Sequence, residues 1–293
     1  MTGRVFSIRY LLLWGVQFLV LLTPSIGLAE ENCVSPPLGL VSWWTGDGSA
    51  IDIVSGNNGT LENETAFAPG IVGEAFSFDG VDDFVRVEDT PNLRLGTGEM
   101  TLDAWIKAPP GNTFRAIVAK FGVSFPYPGY GLRIADDNRV EFLAVDCGTG
   151  SCGFGSTKLP IRSLSIVADN SFHHVAGVRR SDGTIEVYVD GLLENLRVDP
   201  LWNTDNSDPL TIGEIDFLGP EQPFDGLIDE VELFNVDLSG SDIKRLFDAD
   251  GAGKCKEVSL CHRPGMPGAR TLTLPVRALA GHLGHGDTVG SCN

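Results

Sequence analysis

Basic residues are scarce. The 293-residue chain has 21 Lys and Arg against 39 Asp and Glu, a net charge of −18 at pH 7. A surface that acidic repels phosphate backbones and anionic lipid, so nucleic acid is not an expected partner. Histidine is scarce as well, with five residues, and so is methionine, with three. No phosphate-binding glycine loop, nucleophile elbow or dinucleotide fingerprint occurs. CxxC-type spacing is absent, which argues against thiolate-held zinc. Past the N-terminus there is no long apolar run, so no membrane-spanning segment is expected in the body of the chain.

What is present begins with an export signal. Arg4 and Arg9 form a positive region, and an apolar run from Leu11 to Leu22 follows, broken by Gly15 and Gln17. Gly27-Leu28-Ala29 then supplies small residues for cleavage. This order reads as a secretory signal over residues 1–29, and the run is short for a transmembrane anchor. The mature chain is expected to be secreted, periplasmic or at the cell surface, without stable membrane insertion after cleavage. Its six cysteines suit that compartment as three disulfides. Six cysteines allow fifteen pairings. Proximity favours Cys147–Cys152, a staple Cys261–Cys292 would close the C-terminal segment, and Cys33–Cys255 would then tie the start of the body to its end.

Short strand patterns recur along the body, as in Ala75-Phe76-Ser77-Phe78 and Phe84-Val85-Arg86-Val87, with apolar residues at every second position. Asp136-Asp137-Asn138 and Ser181-Asp182-Gly183 stand between such strands as hairpin turns. The 36 Gly and 17 Pro fit many turns. Ser239 or Ser241 can cap one helix with the stripe Ile243, Leu246 and Phe247. About a dozen strands and almost no helix imply two packed antiparallel sheets. From Cys255 on the character changes: three Cys and three of the five His fall in the last stretch, which is too short to build much core alone.

Ordered motifs make the body recognisable. They are Leu40-Val41-Ser42-Trp43-Trp44 with Gly46-Asp47-Gly48, Phe76-Ser77-Phe78-Asp79-Gly80, Met100 to Ile106, Val187-Tyr188-Val189-Asp190-Gly191, and Leu227-Ile228-Asp229-Glu230-Val231. This series resembles the laminin-G-like, concanavalin-A-like jelly-roll family over roughly residues 38–250. The resemblance implies an all-β, two-sheet antiparallel β-sandwich over residues 30–254, with one short C-terminal helix and a disulfide-stapled tail over 255–293. The tail, with Leu260-Cys261-His262-Arg263-Pro264-Gly265 and His282-Leu283-Gly284-His285-Gly286-Asp287, is similar to a Cys/His segment at the ends of exported bacterial proteins, for which no activity is implied.

Relatives of this kind often hold a structural Ca2+ where the first and last strands meet, so the resemblance implies one. Asp79 and Asp229 match the motifs nearest that place. Asp47, Asp52 and Asn58 stand in a loop able to add oxygens, since a hard cation takes about six to eight of them from several loops. Each Asp is also an ordinary turn residue able to bond its own backbone.

Three further groups invite chemistry. Gly213-Glu214-Ile215-Asp216-Phe217-Leu218-Gly219 is similar to the catalytic strand of the family-16 glycoside hydrolases. A retaining mechanism needs two carboxylates about 5 Å apart. Glu214 and Asp216 could be nucleophile and helper, but Leu218 and Gly219 stand where the acid/base is needed, and Glu221 comes too late. Catalysis is therefore not expected. Phe121, Phe125, Tyr127 and Tyr130 cluster in a Gly/Pro-rich stretch, and Trp202 lies among polar residues, so Phe125, Tyr127, Tyr130 and Trp202 are candidate sugar-stacking rings. In the tail, His282 and His285 could face one metal if helical, with His262 and Asp287 nearby. Three nearby glycines favour instead a stapled tail with polar histidines in turns. His173 and His174 are adjacent on a strand, point to opposite faces, and are read as structural. Asn58-Gly59-Thr60 and Asn63-Glu64-Thr65 are glycosylation sequons.

The expected function is an exported, non-catalytic binding or adhesion module for a glycan or extracellular protein. A hydrolase of the same fold or a structural matrix component are the alternatives. The sequence leaves the oligomeric state open.

Overall fold

A computed structural model describes residues 33–124, 127–146, 160–215 and 222–292. The signal segment, Cys147, Cys152, Phe125 and Asp216 lie outside them.

The strands are β1 (Leu40–Trp44), β2 (Gly59–Glu62), β3 (Ala66–Pro69), β4 (Glu74–Asp79), β5 (Phe84–Val87) and β6 (Met100–Lys107). Next come β7 (Arg115–Phe121), β8 (Gly129–Ile134), β9 (Arg139–Val145), β10 (Ile161–Ile166), β11 (Phe172–Arg179) and β12 (Thr184–Val189). After them follow β13 (Leu192–Val198), β14 (Leu210–Ile212), β15 (Asp225–Phe234) and helix α1 (Gly240–Ala249). The tail holds β16 (Glu257–His262), β17 (Arg270–Pro275), the one-turn helix α2 (Leu279–Gly284) and β18 (Thr288–Val289). The tail helix falls in the stretch Val276 to Leu283 that has helical character in the sequence, although its glycines favour an irregular end there.

Two antiparallel sheets form the sandwich. One runs β13-β12-β11-β6-β15-β4-β3 with β1 joined to β15, and the other runs β10-β9-β8-β7-β14-β5-β2. Strands that are neighbours in sequence pair through hairpins where the sequence demanded them. Asp190 and Gly191 both take positive φ, 49° and 75°, and turn β12 into β13. Such a turn matches the twist of the strands it joins.

Between the sheets lies one apolar core. β6 supplies Leu102, Ala104 and Ile106, and Trp44, Phe76, Phe142 and Phe224 fill the rest. The alternate residues of β6, Thr101, Asp103 and Trp105, point outward yet are buried too. Helix α1 covers Trp105, while Thr101 bonds Val236 and Leu238 just before the helix and Asp103 meets His174. Ser239 caps the helix, accepting from the Asp242 amide at 3.2 Å. Ile243 and Leu246 are buried beneath the helix, and Phe247 stacks on Trp105 with centroids 5.6 Å apart.

Beside α1 the outer face of the first sheet buries charge. Lys254 Nζ lies 2.8 Å from Glu230 and 3.3 Å from Glu232, with all three side chains at most 5% exposed. The same ammonium sits 5.0 Å over the Trp43 ring, whose indole donates to Glu230 at 3.2 Å. Next to them His174 contacts Asp103 at 2.9 Å. Glu230 reaches Lys254 because β15 bulges there: its register against β6 shifts between Asp229 and Glu232, and Glu230 takes φ 52°. Burial raises the Glu232 carboxyl well above the usual carboxylate range. Burial also pulls Lys254 down, but Glu230 and Glu232 outweigh it and hold the ammonium above its ordinary value.

The backbone around Lys254 is pinned as well. Val34 donates to Gly253 at 3.0 Å and accepts from Cys255 at 2.9 Å, and Cys33 is bonded to Cys255. That disulfide closes 222 residues of sequence. In the chain-entropy account a loop of that length is worth on the order of 5 kcal/mol. Beyond it, β17-β16-β18 form a small third sheet, with Cys261 bonded to Cys292.

Replacing Lys254 with Ala is expected to leave two buried acids without their cation. Removing one partner of a buried pair costs about 3–5 kcal/mol. Denaturant unfolding of the variant should show that loss, whereas an equal midpoint would mean the cluster contributes nothing.

Candidate functional site

At one end of the sandwich lie residues 88–99, 122–124 with 127–128, and 199–209. Two cations hold them, one from each sheet. Lys120 stands near the end of β7 among Ala116, Ile117, Val118 and Ala119, and its side chain is fully buried. Its ammonium donates to Asp89 at 2.7 Å and to the Asp208 carbonyl at 2.6 Å, with Asn206 oxygens at 3.3 Å. Arg179 ends β11 and is 1% exposed. It donates to the carbonyls of Gly98 at 2.8 Å, Trp202 at 3.0 Å and Gly96 at 2.9 Å.

The loops are also tied to one another. Asn206 donates to the Pro128 carbonyl at 3.0 Å, and Asp208 accepts from the Val123 amide at 3.2 Å. Asp205 accepts from the Gly96 amide at 2.6 Å. Burial lowers the Lys120 ammonium, opposed by Asp89, and pulls Arg179 down to about 10 against the nearby Asp205. Arg179 at that value stays charged at neutral pH. Tyr127 is half-buried against Phe121, Leu143, Val145 and Ile215, and Trp202 is half-buried with Asn203 and Asp205 exposed beside it.

The sequence-predicted rings divide accordingly. Tyr127 and Trp202 lie on adjoining loops. Tyr130 does not belong to a binding surface: it is fully buried, and its hydroxyl donates to the Leu93 carbonyl at 2.8 Å. The reason is strand parity, since β8 aims Tyr130 into the core. Phe121 is buried as well.

The five expected calcium ligands do not form one site. Asp52 accepts four amides, from Trp43, Val54, Ser55 and Asn57, between 2.9 and 3.2 Å. A carboxylate has about four lone-pair sites, so none remains for a cation. Asn58 turns its side-chain oxygen to the Asp52 amide at 3.1 Å. Asp47 accepts from the Glu74 amide at 3.0 Å and is already paired with the Lys256 ammonium at 2.6 Å. Asp229 accepts from the Ile71 and Val72 amides at 2.8 and 3.0 Å. Gly70 and Gly73 leave the room for this: a Cβ at Gly70 would lie 2.4 Å from Asp229, and one at Gly73 2.2 Å from Asp47. Asp79 is elsewhere. It stands opposite Asp225 on β15, four residues from Asp229 and so roughly 13 Å along the strand. There it shares a turn with Asp82 and Asp83. Asp52 is thus spent on backbone amides, while Asp79 accepts the Val81 amide at 2.8 Å and lies with Asp82 and Asp83 in a group whose carboxylate oxygens come within 4.8 Å of one another.

Glu214 is half-buried and its carbonyl accepts from Thr211 at 2.6 Å; Asp216, Leu218, Gly219 and Glu221 lie outside the described residues. His173 contacts Asp190 at 2.9 Å and Asp169 at 3.3 Å, a surface network beside the buried His174. His262 and His282 meet at Asp287 in the tail, while His285 is exposed away from them. Lys120 and Arg179 were missed in the sequence. A lone cation in a run such as Ala116 to Phe121 was the available signal.

A second surface lies where the sheet edges β10 and β13 meet. Glu194 accepts the Leu164 and Ser165 amides at 2.7 Å, and Asn195 donates to the Arg162 carbonyl at 2.9 Å. Around these bonds Leu164, Ile166, Leu192, Leu193, Leu196 and Val198 are exposed, Val198 to 68%. Single exposed aliphatics are ordinary, and six on two adjoining edge strands are more than usual.

The family model for the concanavalin A-like lectin/glucanases superfamily matches residues 79–244. The chain belongs to this superfamily. No curated protein matches it. Solved structures of similar fold include the binding domain of Paraclostridial mosquitocidal protein 1, with TM-score 0.56 and 16% identity over 76% of this chain and 57% of that one. Domain 4 of the arabinanase AbnA from Geobacillus stearothermophilus, solved with arabinotriose, gives 0.52 and 17% over 70% and 96%. The botulinum neurotoxin serotype D ligand-binding domain, solved with N-acetylneuraminic acid, gives 0.55 and 14% over 82% and 63%. The chain thus spans less than two thirds of the toxin domains' length. At these identities the likeness is one of fold.

Two measurements test the geometry. Lys120→Met should loosen the loops it holds, seen as faster amide hydrogen exchange at Val123 and Asp208 with the β6 amides unchanged; unchanged exchange at both would remove Lys120 from this role. Burial raises the Asp229 carboxyl to about 7, against backbone bonds that lower it. Its folded value therefore exceeds the ordinary carboxylate value of about 4. The folded state holds that proton more tightly, so the contribution is full below about pH 4 and is lost as pH rises to about 7. Asp229→Asn should flatten this part of a stability–pH profile measured by urea unfolding.

Proposed function

We propose that the protein is an exported, non-catalytic binding module whose loop platform takes a glycan. The observation that carries this reading is the pair of buried cations, Lys120 and Arg179, which fix loops bearing Tyr127 and Trp202. A sugar ring is recognised by an aromatic face together with polar groups held still beside it. Preorganised loops lower the ordering cost of binding. The superfamily includes lectins, and two structures of similar fold were solved with a sugar bound. The disulfides, together with the fact that no helix of the described residues is long and apolar enough to cross a membrane, fit an extracellular protein. Hydrolysis has less support, because Leu218 and Gly219 replace the acid/base that Glu214 would need. Calcium is not required by this reading, since Asp47, Asp52, Asn58, Asp79 and Asp229 do not converge.

A second reading has its own observation. The aliphatic group at the β10–β13 edge suits an extracellular protein partner better than a sugar, which presents hydroxyls.

The test is a glycan array probed with the disulfide-bonded chain, with and without chelator. Binding should appear in both conditions and fall at least about tenfold, or 1.4 kcal/mol, in Trp202→Ala. Absence of binding, or binding indifferent to both Trp202→Ala and Tyr127→Ala, would reject the platform and leave the aliphatic edge as the better surface.

A further inference from the structure

The C-terminal segment has little to fold around. Its own core is Val258, Leu260 and Leu279, with Leu272, Leu274 and Leu283 partly buried against them. A unit of that size needs a cross-link beyond its core. One is the disulfide Cys261–Cys292. The residue after Cys261 is His262, the last of β16, and it leads to the second.

Three donors converge there from separate places in the segment. His262 ends a strand, His282 lies on α2, and Asp287 follows the glycine turn after that helix. Both imidazoles aim the same atom at the same oxygen: Nδ1 of His262 is 2.9 Å, and Nδ1 of His282 2.7 Å, from Asp287 Oδ2. The three ligand atoms lie within 4.8 Å of one another. The other carboxylate oxygen, Oδ1, is oriented by the Arg263 amide at 3.0 Å. The carboxylate is 2% exposed, while the two imidazoles, at 26% and 30%, leave an approach from solvent.

We propose that His262, His282 and Asp287 form a binding site for a late first-row divalent metal ion, zinc being the representative. Two imidazoles and one carboxylate are the donor set for zinc and its neighbours, whereas calcium and magnesium take oxygens. Donors on one tetrahedral zinc stand roughly 3.3 Å apart. Each His–Asp pair therefore needs to open by a few tenths of an ångström as the metal takes the place between Nδ1 and Oδ2 and each neutral imidazole carries its proton on Nε2 instead. The Arg263 amide plays the part of the outer hydrogen bond that aims a ligating carboxylate. Three protein donors leave one tetrahedral position to water. His285, one turn away and exposed, stays outside the site. Metal bound here would tie β16 to α2 and the chain end, and its binding energy would become folding energy of the segment.

The experiment uses the whole disulfide-bonded chain, freed of metal, and Zn2+ in competition with a chromophoric chelator. One equivalent should bind. His262→Gln keeps a donor for Asp287 but removes the imidazole, so the hydrogen-bonded arrangement survives while Zn2+ affinity falls by more than about tenfold; His282→Gln should behave alike, and His285→Ala should bind as the unaltered chain does. Co2+ supplies a readout that needs no variant: the unaltered chain should give visible ligand-field bands without thiolate charge transfer. No uptake of Zn2+, no Co2+ bands, or uptake indifferent to His262→Gln would overturn the site and leave a hydrogen-bonded staple in its place.

Discussion

The buried ion cluster at Lys254 is the constraint around which the chain is arranged. A lysine and two glutamates in an apolar setting are stable only if each finds its partner, because isolated charge is far too costly to bury. That requirement fixes β15, whose bulge brings Glu230 to the ammonium. It fixes β1 through Trp43, and it fixes residues 33–38 through the Val34 pairing beside Cys33–Cys255. Helix α1 and the strap after it then complete a lid over an outer sheet face that would otherwise meet water. The tail begins at that point and is carried by it.

The same principle, buried cations satisfied by oxygens, recurs at the loop end. Lys120 and Arg179 spend nearly all their donors on loop carbonyls and on Asp89. These loops are thus held by side chains of the two sheets as well as by their own apolar residues, Leu93 being fully buried. The Lys254 cluster secures the seam of the first strand, the last strand and the tail, and Lys120 and Arg179 secure the loops at one end.

Much of the architecture was legible in the residues. Alternation in Phe84-Val85-Arg86-Val87 and the Asp190-Gly191 turn gave strands and hairpins, since side-chain parity and positive φ are local properties. Ser239 and its helix were equally local. The site was less legible. Tyr130 and Tyr127 lie three apart in one aromatic stretch, yet one ends in the core and the other on a loop, because strand parity begins only at Gly129. Of the acids read as calcium ligands, Asp52 accepts mostly amides of its own turn, whereas Asp47 and Asp229 accept amides of residues 71–74, far away in sequence, which spacing along the chain does not reveal.

What the sequence determined by itself was the sandwich, its turns, the disulfide-bearing tail and the superfamily, because periodicity, turn chemistry and ordered motifs are written residue by residue. Only the tertiary structure decided which charges are buried and with whom. Lys254 meets Glu230 and Glu232, Lys120 meets Asp89 and Asp208, and His262 meets His282 and Asp287, each across a separation that no local pattern encodes. The physical reason is that a buried charge is tolerated only where the folded chain delivers a partner, and that delivery is a property of the whole fold.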